Sequence, residues 1–192
     1  MGQYLNEPFT FLIDVLFGLY ILIVMLRFLF QLFKVDFYNP ISQAIVKFTN
    51  PPLRILRRFI PSIGKIDASS IVLMLTLQFI AFSLIFLIQG VPFLPLAILL
   101  LSLAELLNLV FNIFIFSVII LAVLSWFGAA SYHNPLAILL EQLTRPVLNP
   151  VRRRLPTAGG IDFSPMLVII GLIFLKLLLI PPLQGLVRHI PM

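Results

Sequence analysis

Apolar runs of bilayer length leave this chain few folds to choose from. Residues Phe9 to Phe33 are interrupted only by Asp14, Arg27 and Gln31, Ile71 to Gln89 is apolar again, and Pro165 to Leu186 makes a third such run. At ~1.5 Å per residue, about 20 residues cross the hydrocarbon core, so each run predicts a spanning helix. A further run, Val91 to Phe127, is too long for one ordinary span and too short for two. Composition agrees: 61% of the 192 residues are hydrophobic and 10% charged, too little polar surface to cover a soluble globule, so the apolar excess faces lipid. Met1 to Glu7 carries no basic residue and no small-residue cleavage site interrupts the first run, which reads as an anchor rather than a signal peptide. Cysteine is absent, excluding disulfides, thiolate metal sites, iron–sulfur clusters and cysteine catalysis.

An internal repeat resolves the long run. Shifted by 95 residues without a gap, 39–69 falls on 134–164 with 12 identities in 31 positions. Asn39-Pro40 meets Asn134-Pro135, Thr49 meets Thr144, and Pro51 meets Pro146. Arg57-Arg58 meets Arg152-Arg153, Gly64 meets Gly159, and Ile66-Asp67 meets Ile161-Asp162. Most of these identities are Pro, Gly, Asn, Arg and Asp, which apolar bias does not supply. Carrying the first span forward places the third at about 104–128, and leaves 91–103 as an apolar linker or half-helix at the interface. The expected fold is an all-α integral membrane protein of two tandem parallel repeats of a transmembrane helical hairpin, with four spans plus short interfacial helices in the cytoplasmic loops. Residues 1–90 form the first repeat, with spans at about 9–33 and 71–89. Residues 104–192 form the second, with spans at about 104–128 and 165–186.

Charge sets the expected orientation. Lys34, Lys47, Arg54, Arg57, Arg58 and Lys65 lie in the first loop and Arg145, Arg152, Arg153 and Arg154 in the second, while the N-terminus and linker carry none. The positive-inside rule makes both loops cytoplasmic and both termini external. In a soluble protein the net charge of +6 would suggest nucleic acid, but no recognition module accompanies it, and nucleic acid is not an expected partner.

Each loop opens on Asn-Pro, a helix start in which Asn caps free backbone donors and Pro takes the first position. The short helix is expected to break at Asn50-Pro51-Pro52 and at Arg145-Pro146. Leu53, Leu56, Phe59 and Ile60 then recur at helical spacing opposite Arg54, Arg57 and Arg58, the pattern of a helix lying apolar side down in the headgroup plane. Leu148, Val151 and Leu155 beside Arg152, Arg153 and Arg154 repeat it more weakly. The six arginines are either topology markers or binders of anionic lipid or a protein partner. Gly159-Gly160, or Gly64-Lys65, allows the positive φ that turns the chain back. Asp67 and Asp162 either pair with the arginines or favour the positive end of the next helix, the second being preferred.

At Asn134-Pro135, at Arg145 to Pro156 and at Gly159 to Pro165 the chain resembles the YggT family, and the two-copy organisation extends the resemblance over essentially the whole sequence. The first copy departs at Pro52, Arg54, Ile55, Lys65 and Ser70. The resemblance implies a multi-pass protein of the bacterial inner membrane, linked in some members to osmotic tolerance and in cyanobacterial and chloroplast relatives to cytochrome b assembly or nucleoid distribution. No chemistry shared by the whole family comes with it.

Ionisable groups within spans are costly and mark candidate sites. Arg27, within two turns of the cytoplasmic end, can snorkel. Asp14 and Glu105 lie toward the outer ends of the first and third spans and Lys176 near the middle of the fourth, and all three break the repeat symmetry, since Leu109, Thr10 and Ala81 stand at the equivalent positions. Asn108 and Asn112 share a face with Glu105, and Lys176 is expected to pair with Glu105 or Asp14. His133 and His189 lie at different depths and are not expected to hold a metal or haem. With no catalytic motif and no expected cofactor, the reading is a non-enzymatic scaffold or assembly and stress-tolerance factor acting through its loops on anionic lipid headgroups and on a protein partner or second copy. The alternative is a small ion or osmolyte channel or transporter subunit.

Overall fold

The computed structural model describes residues 3–62, 64, 66–126, 134–154 and 162–187. Its six described helices are α1 (Gln3–Leu32), α2 (Pro40–Leu56), α3 (Ala68–Gln89), α4 (Pro95–Trp126), α5 (Pro135–Arg152) and α6 (Ser164–Val187). Four of them, over Asn6–Leu32, Ala68–Gln89, Pro95–Ser125 and Ser164–Val187, are long and apolar enough to cross a membrane. The protein is an all-α, multi-pass membrane protein, and α2 and α5 are the helices of its two loops.

Stop signals at the span ends follow from local backbone chemistry. α1 ends where Lys34 adopts φ 55° and the Val35 N–H donates back to the Phe30 carbonyl at 2.9 Å. α3 ends in the same way at Gly90, φ 70°, with Val91 N–H donating to Phe86 at 2.9 Å. Both are left-handed caps that satisfy terminal carbonyls. Glycine adopts that conformation freely, whereas Lys34 carries a side chain there at some cost.

The third span begins earlier than the sequence suggests. Residues 91–103 do not form a separate linker or half-helix: only 91–94 connect, and helix runs unbroken from Pro95. Pro95 occupies the first turn, where its missing N–H is harmless, and neither Pro nor Gly follows within α4. α1 begins at Gln3, which the repeat offset carries to Ile98, so α4 is the counterpart of all of α1. Its 31-residue spanning stretch extends about 46 Å against a core of about 30 Å, which requires tilt or protruding ends.

The helices pack as two hairpins, α1 against α3 and α4 against α6, joined mainly where α3 meets α4. The principal buried cluster draws on α1 through Ile21, Val24, Met25 and Leu29, on α3 through Leu73 and Met74, and on α4 through Leu106, Ile113 and Phe114. Leu53 of α2 and Leu139 and Leu143 of α5 close it at one end. α6 buries only Ser164, Val168 and Ile180, and its Ile170, Phe174 and Leu177 are exposed, as a lipid-facing helix requires.

Candidate functional site

The sequence motif converges on one end of the bundle. Asn39 Oδ1 accepts from the Ile41 N–H at 3.0 Å, and Asn134 Oδ1 from Leu136 at 2.9 Å, so both loop helices start as their Asn-Pro pairs predict, with Pro40 and Pro135 in the first turn. The other end of the Asn39 amide donates to the Pro135 carbonyl at 2.8 Å, and the Asp36 N–H donates to Gln142 Oε1 at 2.7 Å. These bonds tie the start of one loop helix to the other.

Neither loop helix breaks at its prolines. α2 continues through Pro51-Pro52 and α5 through Pro146 and Pro150, against the break expected at Asn50-Pro51-Pro52 and Arg145-Pro146. The carbonyls deprived of a donor in α2 are those of Lys47 and Phe48, four residues back, and both residues are exposed, so water or headgroups can replace the missing bonds. The inward face also differs from the expected lipid-facing one. Ser42, Ile45, Thr49 and Leu53 are buried in α2, and Leu139, Leu143, Thr144 and Leu148 in α5. The apolar stripe therefore packs on the spans, while Phe59, beyond the end of α2, is 79% exposed.

Both aspartates pair with arginines, the alternative that the sequence reading did not prefer. The Arg57 guanidinium donates to Asp67 Oδ2, and the Ser70 hydroxyl donates to the same oxygen at 2.9 Å. Ser69 adds a bond to the Ile60 carbonyl at 2.7 Å. In the second repeat Arg152 Nε donates to Asp162 Oδ2 at 2.9 Å, and the Ser164 N–H to Asp162 Oδ1 at 2.9 Å. Each bracket joins the exit of a loop helix to the entry of the returning span; Asp67 also occupies the N-cap position of α3. Burial works against ionisation of Asp67, but the bonds from Arg57 and Ser70 and the Arg57 charge outweigh it and hold its carboxyl below the usual range. Asp162 is depressed too: a smaller burial penalty is outweighed by its bonds from Ser164 and Arg152. Arg54, Arg58, Arg153 and Arg154 are exposed, and among the described residues none forms an ion pair. Gly64 has the expected positive φ of 62°; Lys65, Gly159, Gly160, His133 and His189 lie outside the described residues.

Arg27 does not snorkel. It is buried, and its Nη1 donates to Thr49 Oγ1 at 2.7 Å and to the Val46 carbonyl at 3.3 Å, pinning α2 to α1. A cavity of about 390 Å³ opens beside it, lined by Arg27, Lys34, Ser42 and Arg57 together with apolar side chains including Phe30 and Ile45. The sequence reading left Arg27, Lys34, Ser42 and Thr49 out of the site. The signal for Arg27 was present, because Ala122 stands at its position in the second copy.

Within the spans the polar groups separate into two sets. Lys176 Nζ donates to Asn112 Oδ1 at 2.7 Å, not to Glu105 or Asp14. α6 packs on α4 and α5 rather than on α1, which removes Asp14 from reach, and Glu105 lies seven residues, about 10 Å, from Asn112 along α4. Asn108 Nδ2 instead donates to Glu105 Oε1 at 3.0 Å. Asp14, Gln78 and Glu105 line a second, smaller cavity of about 80 Å³. Gln78, which the sequence reading passed over, is buried there.

Comparison with known proteins matches the CCB3/YggT family model over residues 7–88 and 100–183, one segment per repeat. An uncharacterised Pseudomonas aeruginosa protein, PA0392, is 40% identical over 178 residues, covering 92% of this chain and 90% of its own length. The uncharacterised protein YggT of Escherichia coli K12 is 38% identical over 161 residues, 84% of this chain and 83% of its own. An uncharacterised ycf19 protein of Galdieria sulphuraria is 37% identical over 65 residues, 34% of this chain and 63% of its own. No solved structure matches.

Proposed function

We propose that this chain, which belongs to the CCB3/YggT family, is a non-enzymatic membrane scaffold or assembly factor whose motif end forms a basic platform for anionic lipid and a protein partner. The observation that carries the reading is the pair of Arg–Asp brackets. A loop that served only as a tether between spans would need no clamp, whereas a docking surface gains from being rigid before the partner arrives, because less ordering entropy is lost on binding. The clamped helices leave Arg54, Arg58, Arg153 and Arg154 exposed, and Phe37, Tyr38, Phe48 and Phe59 of the first loop are exposed as well. Basic and aromatic groups together suit the level of the headgroups.

In this proposal the protein sits in the bacterial inner membrane with the platform cytoplasmic and both termini periplasmic, as the loop arginines direct. Because the chain has no cysteine, single cysteines report the topology: one at Ser62 is to be shielded from an impermeant thiol reagent in intact cells, and one at Gln3 labelled. The function itself is tested by stoichiometric copurification from mild detergent. Changing Arg54, Arg58, Arg153 and Arg154 together to Gln is to abolish it while the protein remains monodisperse; a partner retained by that variant defeats the platform reading.

A channel or transporter subunit for an ion or osmolyte is the second reading, and it draws on the cavity lined by Asp14, Gln78 and Glu105. Proteoliposome flux that Glu105→Gln removes without unfolding the protein would favour it over the scaffold.

A further inference from the structure

The cavity between α1 and α2 is built from unlike parts. Arg27 is buried and donates to the neutral oxygens of Thr49 and Val46, and neither Arg27 nor Lys34 makes an ion pair among the described residues. Of the three cations lining the cavity, Arg57 alone has a carboxylate in contact among the described residues, Asp67. Ser42 Oγ is buried and has no hydrogen-bond partner, although its side chain lines the same space. Buried hydroxyls nearly always find a partner, and an orphan of this kind indicates a group that belongs there. The remaining lining is largely apolar, with Phe30, Val35, Phe37, Ile45 and Val46. At about 390 Å³ the space far exceeds the ~30 Å³ share of one water.

We propose that this cavity binds a phosphoryl group, the phosphodiester of an anionic phospholipid, with Arg27 and Lys34 supplying charge, Ser42 a hydroxyl donor and the apolar wall the glycerol and upper acyl chains. Guanidinium and ammonium donors complement phosphate oxygens, and a free anion would have no use for the phenyl and branched side chains. Lys34 holds its cation at a left-handed backbone position that glycine would occupy at lower cost. The 95-residue offset puts Ala122, Ala129 and Ala137 where Arg27, Lys34 and Ser42 stand, so the second copy lacks these three polar groups. One lipid per chain is therefore expected, held in the cavity between α1 and α2 rather than on the exposed arginines. The inference deepens the platform reading by placing its lipid contact in a defined pocket.

Full-length protein in an uncharged detergent is titrated with phosphatidylglycerol, with diacylglycerol of the same chains and with inorganic phosphate, reading bound lipid by native mass spectrometry and melting temperature in parallel. Phosphatidylglycerol is expected to bind at one saturable site and raise the melting temperature; diacylglycerol is not. Ser42→Ala with Lys34→Gln is expected to weaken binding at least about tenfold, the equivalent of one charge-assisted bond. Both substitutions are mild enough to leave the fold intact, since Ser42→Ala installs the residue of the second repeat. Competition by inorganic phosphate at the same site would keep the phosphoryl chemistry and assign free phosphate as its source. Unchanged binding in the double variant overturns the proposal, as does failure of both phosphatidylglycerol and phosphate to bind. If Arg58→Gln with Arg153→Gln loses the lipid while the cavity variant retains it, the cavity is overturned and the exposed platform stands.

Discussion

The two repeats carry the same loop motif but bury it to different depths, and the first contributes more of the principal buried cluster than the second. That cluster spans both repeats, drawing on α1, α2 and α3 and on α4 and α5, whereas a smaller one, Val118, Leu148 and Val168, lies wholly within the second repeat. The brackets differ in the same direction. Asp67 has 1% of its side chain exposed and Asp162 has 37%, beside arginines of nearly equal exposure. Part of the difference is covalent: Ser70, which donates to Asp67, is replaced in the second copy by Pro165, which has no hydroxyl. Identical residues at identical spacing thus acquire different energetic weight from what surrounds them, since desolvation makes a charge both dearer to bury and dearer to leave unpaired.

The largest expected effect breaks that comparison directly. Arg57→Ala strands the buried Asp67 carboxylate and is expected to destabilise the protein by about 3 kcal/mol, while Arg152→Ala removes an exposed pair and is expected to cost at most about 1 kcal/mol. Reversible denaturation in a defined detergent–lipid mixture measures both; equal losses would mean that burial does not distinguish the brackets.

A smaller effect concerns how the second hairpin is held. Where the first hairpin buries Ala81, the second has Lys176 bonded to Asn112. Asn112→Leu leaves the ammonium without its partner and is expected to cost about 1–2 kcal/mol, in the range of interhelical polar contacts in membranes. Lys176→Met removes the charge itself and is expected to be neutral or slightly stabilising. A large loss from Lys176→Met would show that the lysine has an acidic partner after all.

The smallest effect is a pH dependence. Both Asp67 and Asp162 have depressed pKa values in the folded state, so the unfolded chain binds protons more readily. Their contribution is complete above the unfolded value of about 4 and is lost as pH falls through the folded values below it. Melting temperature is expected to change little through these groups from pH 8 to 5 and to fall below pH 4, less steeply in Arg57→Ala. A fall between pH 8 and 6 would point to a different titrating group.

Much of this was legible in one dimension. Run length and the 95-residue offset specify four spans, two hairpins and two capped loop helices, because bilayer thickness and helix capping act over a few residues at a time. The start of α4 was misplaced because the first span was itself begun too late, and the offset copied that error. The loop prolines misled because the cost of a missing donor depends on which carbonyl is freed and whether it faces solvent.

Sequence alone determined that the chain lives in a membrane, that it is a duplicated hairpin, and where its basic charge lies. Tertiary structure decided which of those charges matter. That Arg57 and Arg152 face aspartates while Arg58 and Arg153 do not, that Lys176 meets Asn112, and that Arg27, Lys34 and Ser42 surround one cavity all depend on the packing of helices distant in sequence. Side-chain partners are set by the angle and depth at which helices meet, and hydropathy, which reports only the preference for lipid over water, carries no information about either.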